Sequence, residues 1–454
     1  MKLAVIGGGG VRSMFLAKSI AQRAKALNID ELVFMDNDES KLNIYGKMAK
    51  HVVNELSPCL KFEITTDALF AIKDADYVIT TIREGGDDMR VRDERIALSH
   101  GVLGQETTGA AGLSFAMRSV YALKEYCEMV KKYAKPSCKV FNFTNPAGVV
   151  SQTLRDMGYD FTFGICDAPS GMLRSFALLY GEDEKAAKGE IYGLNHLSYF
   201  SSITINGKEM MNEIIENEAA YELTDLRYFE KELLKERGAI LNEYLYYFYY
   251  REKAIENILN AEKTRGELIA EYNRNMTEEL SKLDIDKEFD KAFKIFEHWY
   301  GERESNYMAA ETGVKRKNQW RFDIYEKDSG GYAGVALQFI EIAQSKKRGS
   351  MILCTANNGA IKELREDDIV EITCDIDENG VTPHKFENID EQNLELIRRV
   401  KIYERLASKA IREKSIKTAI EALTLHPLVN SYSLAKELIN EYLELNKKYT
   451  SDWR

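Results

Sequence analysis

The chain opens on a strand-length apolar run, Lys2-Leu-Ala-Val-Ile6, that stops at four glycines, Gly7–Gly10. Short runs of the same kind recur at 31–36, 61–66, 75–82, 138–143 and 161–165, separated by stretches of helical spacing such as 114–133. Strands that read as apolar on both faces, alternating with helices, predict a parallel sheet covered on both sides, the α/β class. Past residue 170 the pattern changes. Residues 192–205 with the turn Asn206-Gly207 read as an antiparallel hairpin. Residues 210–325 are charged and mostly helical with an aromatic cluster at 244–250, and 350–376 return to strands. From 388 to about 448, Leu and Ile recur at three- and four-residue steps, which predicts long amphipathic helix. No repeat, low-complexity tract or linker interrupts the chain. Two intimately packed domains follow, 1–170 and a mixed α+β domain 171–454, with a site expected between them.

The strand–glycine–helix junction is where a Rossmann fold receives a dinucleotide: glycine allows a tight turn and close approach to a pyrophosphate, whose charge meets the next helix's N-terminus. Gly7, Gly8, Gly9 and Gly10 are therefore cofactor-binding candidates. The third glycine of G-x-G-x-x-G is missing, its slot taken by Arg12 or Ser13 depending on the starting glycine. Asp36, at the end of the second strand, is placed to accept ribose hydroxyls, which favours NAD over a 2′-phosphorylated cofactor.

The rest of the composition narrows the class. The 454 residues carry a net charge of −11, against non-specific nucleic-acid binding, and no apolar run long enough to span a membrane. Met1-Lys2 runs straight into a core strand without a leader, and six scattered cysteines lack any C-x-x-C, as expected of reduced cytoplasmic thiols.

Candidate chemistry clusters after the strand ends, where parallel sheets bind ligands. Asn145-Pro146 follows the fifth strand; it reads either as a turn or as an amide offered to substrate hydroxyls. Cys166-Asp167 follows the sixth, and His196 stands in Gly-Leu-Asn-His196. One thiolate and one imidazole suit a divalent transition metal whose coordination a substrate completes. Arg83, Arg90 and Arg92 follow the fourth strand, either as a self-paired solvated face or as a clamp for an anionic substrate. Gly104-Gln-Glu-Thr-Thr-Gly109 is an uncommon polar run before a helix. The other five histidines, at 51, 100, 298, 384 and 426, read as structural or exposed.

These segments, in this order, resemble glycoside hydrolase family 4, the NAD-dependent glycosidases. The resemblance is collinear over nearly the whole chain, from Gly7–Gly10 through Asp93-Glu-Arg-Ile96, Gly104–Gly109, Asn142-Phe-Thr-Asn-Pro146, Cys166-Asp-Ala-Pro169 and Tyr192-Gly-Leu-Asn-His196 to Asn357-Asn-Gly-Ala-Ile361. It implies a lactate/malate-dehydrogenase-like Rossmann domain, with substrate binding, metal binding and oligomerisation centred on 171–454. It implies NAD and Mn²⁺ or a similar metal as cofactors, Cys166 and His196 as metal ligands, and Asp167 as general acid. Tyr244 is then the catalytic base, Glu106 the acid that raises its basicity, and Arg90, Asn145 and Arg265 the substrate contacts. The implied reaction is oxidation at the sugar's C3, deprotonation at C2, elimination of the C1 oxygen and addition of water, outside the two-carboxylate route. Relatives are usually homodimers or homotetramers.

Arg12 is a departure: many relatives have Gly-Gly-Gly-Ser-x-x-Thr-Pro where this chain has Gly-Gly-Gly-Gly-Val-Arg-Ser-Met14, which puts a new cation near the substrate's phosphate or carboxylate. Asp167 resembles the 6-phospho-α-glucosidases, whereas Asn195-His-Leu-Ser-Tyr199 and the body of the chain resemble the β group; the balance tips toward a 6-phospho-β-glucosidase. A 6-phospho-α-glucosidase or an unphosphorylated α-glycosidase of the same family is the alternative. Outside it stand a lactate/malate-type dehydrogenase, which would show net nicotinamide turnover, and a non-catalytic nucleotide sensor.

Overall fold

A computed structural model describes residues 1–316, 320–328, 330–378 and 380–454. Its strands, in chain order, are β1 Lys2–Ile6, β2 Glu31–Met35, β3 Lys61–Thr65, β4 Tyr77–Thr80, β5 Lys139–Asn142, β6 Thr162–Gly164, β7 Ala187–Leu194, β8 Leu197–Ile205, β9 Lys208–Glu209, β10 Ile240–Leu241, β11 Gly349–Ala356, β12 Ile369–Asp377 and β13 Gly380–Pro383. The larger sheet has the order β13-β12-β11-β6-β5-β4-β1-β2-β3, and its strands β1 to β6 are parallel in the doubly wound order 3-2-1-4-5-6. Such a sheet opens its crevice where the strand order reverses, between β1 and β4. Alternation along β1 shows why both faces are apolar. Leu3 and Val5 pack with Phe34 in one layer, while Ala4 and Ile6 pack with Val33 and Met35 in the other.

The strands expected at 350–376 do form, but they join this same sheet. β11 pairs antiparallel with β6 at Cys354 and Gly164, and β12 and β13 follow outward. Glycine is required there, because a Cβ on Gly164 would stand 2.9 Å from that of Cys354. The smaller sheet joins β7, β8 and β10, with β9 along β8. Its hairpin turns one step earlier than the sequence signals. β7 meets β8 across Asn195-His196, and Asn206-Gly207 is a second turn, into β9. Both turns contain positive φ (His196 62°, Asn206 51°, Gly207 81°), and histidine and asparagine tolerate that region better than most residues.

The run 388–448 breaks into helices Glu391–Glu413, Ile416–Leu425 and Tyr432–Leu445. Lys414 at φ 54° and the Ser415 cap make the first break; Pro427 and the Ser431 cap make the second. Their apolar faces, with Ile397, Val400, Ala407, Leu423 and Leu438, are buried in the core of this same chain. No described helix is long and apolar enough to cross a membrane, and all six cysteines are free.

At the far edge His384 sits between Glu190 on β7 (2.8 Å) and Asp375 on β12 (3.1 Å). Burial works against its charge, but the two carboxylates prevail and hold its pKa above the usual histidine value. A raised folded pKa contributes stability in full below the unfolded value of about 6.5, and that stability is lost as pH rises through the folded value. His384→Gln is therefore expected to lower the melting temperature more at pH 6 than at pH 8.5. For so open a pair the loss is at most about 1 kcal/mol. Equal losses at both pH values in thermal melts would rule out a charged His384.

Candidate active site

The glycine turn between β1 and the helix Ser13–Ala24 is shaped by two close approaches. A Cβ on Gly7 (φ 97°) would stand 2.4 Å from the carbonyl oxygen of Thr81, and one on Gly8 would stand 2.5 Å from the Cβ of Phe34. Ser13 fills the third-glycine slot by turning its hydroxyl onto the Gly8 and Gly10 carbonyls, 2.6 Å from each. Asp36, at the tip of β2, accepts from the backbone N–H groups of Gly9 (3.0 Å) and Asp38 (3.1 Å). Burial still leaves its pKa above the ordinary aspartate value.

Gly7, Gly9, Gly10 and Asp36 line one end of a cavity of about 450 Å³, which runs past β4 and β5 to the C-terminal half. That is the size of an ordinary small-molecule site. Arg90, Glu106, Asn145, Tyr244 and Arg265 line the same cavity, so the structure brings most of the predicted residues together. Glu106 is gripped by Arg83 and by Arg90 (3.0 Å). Burial opposes its charge, yet the two arginines hold its carboxyl far below the usual glutamate range. Arg90 also binds Glu94 at 2.9 Å, so Arg83 and Arg90 are each committed to protein carboxylates. Arg92 is exposed and lies outside the cavity. Arg265 starts a helix capped by Thr264 and Glu267; its Nη1 donates to the Asn306 carbonyl (3.0 Å) and its guanidinium covers the Tyr307 ring (4.7 Å).

Cys166, just beyond β6, has its Sγ 3.5 Å from His196 Nε2 at the tip of the β7–β8 hairpin. With bonds of about 2.3 Å to sulfur and about 2.1 Å to nitrogen, as for zinc, that spacing subtends about 105° at a shared ion. The donor chemistry fits as well. Burial drives the His196 pKa down to about 3, leaving a neutral imidazole. Burial, with Glu371 next, drives the Cys166 thiol well up, a state a cation would reverse. Among the described residues no group of three or more His, Cys, Asp or Glu side chains could hold a metal, so the pair is an open, two-donor site. Glu371 on β12 anchors the tip by accepting from Asn195 Nδ2 (3.0 Å) and Ser198 Oγ (2.8 Å).

Tyr244 joins this pair to the cavity. Its ring stacks on His196 with centroids 3.9 Å apart. It rides on a single turn, 243–245, capped by Asn242, whose side chain also binds Ser198 Oγ (3.2 Å). Tyr307 Oη lies 2.6 Å from Glu243 Oε1 and 3.3 Å from Tyr244 Oη. Burial, with Glu243 next, pushes the Tyr244 phenol far up, so nearby positive charge would be needed to deprotonate it. Asp167 is half-buried at the start of the helix Ala168–Leu179. It does not line the large cavity, nor do Cys166 and His196. Burial raises its pKa, and Arg12 works against that.

Sequence reasoning missed Arg303. It lines the cavity beside Arg12; burial, then repulsion from Arg12, pushes its pKa down to about 10. Its buried Nε has no hydrogen-bond partner among the described residues. Nothing in Tyr300-Gly-Glu-Arg303 marks it, since the helix Phe289–Ser305 is far from any strand end.

Residues 2–181 match the family described as family 4 glycosyl hydrolase, and residues 191–429 match the family 4 glycosyl hydrolase C-terminal domain. The chain is 29% identical to the 6-phospho-beta-glucosidase BglT of Thermotoga maritima, covering 99% of both chains. It is 27% identical to the phospho-alpha-glucosidase PagL of Clostridium acetobutylicum, over 99% of this chain and 98% of that one. The structure of the Thermotoga maritima 6-phospho-beta glucosidase with manganese, NAD⁺ and glucose-6-phosphate superposes with a TM-score of 0.81, at 29% identity and 99% coverage of both chains.

Proposed function

The chain belongs to glycoside hydrolase family 4, and we propose that it hydrolyses 6-phospho-glucosides, with the β-anomer preferred, using NAD⁺ and a divalent metal such as Mn²⁺. The observation that carries this reading is the 3.5 Å approach of Cys166 to His196 with Tyr244 stacked on the histidine. That stack puts the phenol in the wall of a cavity whose other end is the glycine turn and Asp36, with the imidazole and thiol directly behind it. Relatives of both anomeric classes match over the full chain, and the β-glucosidase of Thermotoga maritima matches slightly better.

NAD⁺ would lie along Gly7–Gly10 and Asp36 and the metal between Cys166 and His196, the one supplying a hydride acceptor for C3–H and the other a Lewis acid for the C2 and C3 oxygens. Oxidation at C3 makes the C2 proton acidic. Tyr244 removes that proton, held in place by the Asn242 cap and by Tyr307. Asp167 protonates the departing C1 oxygen as the bond breaks. Water then adds at C1, its proton passing to Asp167, Tyr244 returns the proton to C2, and return of the hydride to C3 would leave no net redox change. Asn145 and Arg265 hold the sugar; Arg90 orients Glu106 and closes the wall. Residues 1–170 carry the nucleotide, residues 171–454 carry His196, Tyr244 and Arg265, and Cys166 lies at the seam. We place the enzyme in the cytoplasm, as a homodimer or homotetramer.

Arg12, held beside Tyr300, Asp167 and Glu304, and Arg303 line the same cavity, where a phosphate dianion would offset their mutual repulsion. Arg303→Ala is expected to raise KM for a 6-phospho-glucoside by about 10- to 100-fold, the loss of one charge-assisted contact of about 1.5–3 kcal/mol. Activity on the unphosphorylated sugar should stay as it was. Steady-state kinetics on both substrates checks this, and an equal loss on both would remove Arg303 from phosphate binding. The whole reading is tested with nitrophenyl 6-phospho-glucosides of both anomers, Mn²⁺, NAD⁺ and a thiol. Nitrophenol release without accumulation of NADH is expected, with faster release from the β-anomer. Steady NADH formation without release would make the protein a dehydrogenase.

A further inference from the structure

His196 has two ring nitrogens, and the site described so far uses one. Nε2 faces the Cys166 sulfur at 3.5 Å. A neutral imidazole that offers Nε2 to a metal carries its proton on Nδ1. Nδ1 is buried and has no hydrogen-bond partner among the described residues. Metal-holding histidines nearly always give that second N–H to a carboxylate, a carbonyl or a water, which fixes the ring's tautomer and tilt.

His196 also lines a second, small cavity of about 20 Å³, on whose wall stand Thr107, Thr108, Gly148 and Glu404. The volume suits a single water molecule, and the wall is polar enough to hold one. Glu404 is a buried carboxylate from the helix Glu391–Glu413. Its Oε2 pairs with the equally buried Lys401, whose Nζ also reaches Gln152 Oε1 at 3.3 Å. Oε1 points the other way, at Gly148, where an added Cβ would stand only 2.0 Å from it. Glycine at 148 therefore lets the carboxylate pack this close, and Lys401 balances its charge on the other side.

We propose that one ordered water fills this small cavity, accepts the Nδ1 proton of His196 and donates to Glu404, so that the Glu404–Lys401 pair is the outer support of the metal-holding histidine. The inference rests on the reading of Cys166 and His196 as metal ligands. Glu404 touches neither substrate nor metal; it is a positioning residue, acting through the water on the ring.

The test is Mn²⁺ affinity of the full-length protein, read from the electron paramagnetic resonance of the free ion, independently of turnover. Glu404→Gln is expected to weaken Mn²⁺ binding about 10- to 100-fold while NAD⁺ affinity stays unchanged. Because that variant strands Lys401, a charge-neutral double change, Lys401→Met with Glu404→Leu, is measured beside it, with the same loss expected. A crystal structure of the unaltered protein at about 1.5 Å should show one water between His196 Nδ1 and Glu404. His196→Ala separates the two ideas. If it binds Mn²⁺ like the parent, the metal assignment itself is wrong. If it loses Mn²⁺ while both Glu404 variants keep parental affinity, or if no density fills the cavity, the water-bridged support is overturned.

Discussion

Replacing Cys166 by alanine is expected to lower kcat by about a thousandfold or more, several kcal/mol of Lewis-acid stabilisation at about 1.4 kcal/mol per tenfold. The protein should stop retaining Mn²⁺ as well. The reason is the sparseness of the site. On the proposed reading the ion has two protein donors, Cys166 and His196, which lie 3.5 Å apart with no third His, Cys, Asp or Glu completing the group among the described residues, so neither can be spared. His196→Ala should cost as much, and the double variant should cost little more than either alone, because groups that act as a unit give non-additive losses. The same logic applies to the native protein: a chelator or a thiol oxidant should abolish turnover, and Mn²⁺ with reductant should restore it. Equilibrium dialysis of Mn²⁺ alongside kcat reads both effects. A Cys166→Ala protein that keeps a tenth of parental turnover would remove the thiol from the mechanism.

Tyr244→Phe is expected to lower kcat by about 10²- to 10⁴-fold, the range for loss of a general base, with KM for the phospho-glucoside little changed. The phenol begins as a poor base: burial and the adjacent Glu243 push its pKa far above the ordinary tyrosine value of about 10. It needs local positive charge, which a metal on the stacked His196 and an oxidised nicotinamide both bring. Tyr307, 3.3 Å from the phenolic oxygen, adds one donor. Tyr307→Phe should therefore lower kcat by about 10- to 100-fold, matching a hydrogen bond of about 1.5–3 kcal/mol to a charged oxygen. A substrate deuterated at C2 supplies the check. Its isotope effect on kcat should grow in both variants, because C2–H cleavage becomes rate-limiting. An isotope effect unchanged from the parent would mean that neither phenol serves that step.

The parts of the molecule legible in the sequence are those fixed by local geometry. The glycine turn could be read because Gly7 and Gly8 each face backbone or Cβ atoms at contact distance, a constraint carried by two residues and one flanking strand. Cys166 was legible because it follows a strand end, and His196 because the Gly-Leu-Asn-His196 segment belongs to the family resemblance. The hairpin tip was not. Asn206-Gly207 is the stronger turn signal, but Asn195 is tied down by Glu371, a residue on another sheet with no mark in the local pattern. Arg303 and Tyr307 stayed hidden for the same reason, being set beside the site by the packing of a remote helix. Glu106 was expected to act on Tyr244; what the structure adds is its grip by Arg83 and Arg90, which follows from a helix-to-loop contact across the cavity. The shared sheet was the largest surprise, since Gly164 and Cys354 lie far apart in the sequence yet pair directly.

That late pairing bears on how the protein can be made and dissected. β6 has no neighbour on its outer side until residues beyond 349 have been synthesised. A fragment ending near residue 170 would expose a raw strand flank with unpaired amides and the apolar Phe163, an invitation to intermolecular pairing. Such a nucleotide-binding half, expressed by itself, should form aggregates instead of a working module, and ribosome-bound chains of that length should depend on chaperones until the strand from Gly349 to Ala356 arrives.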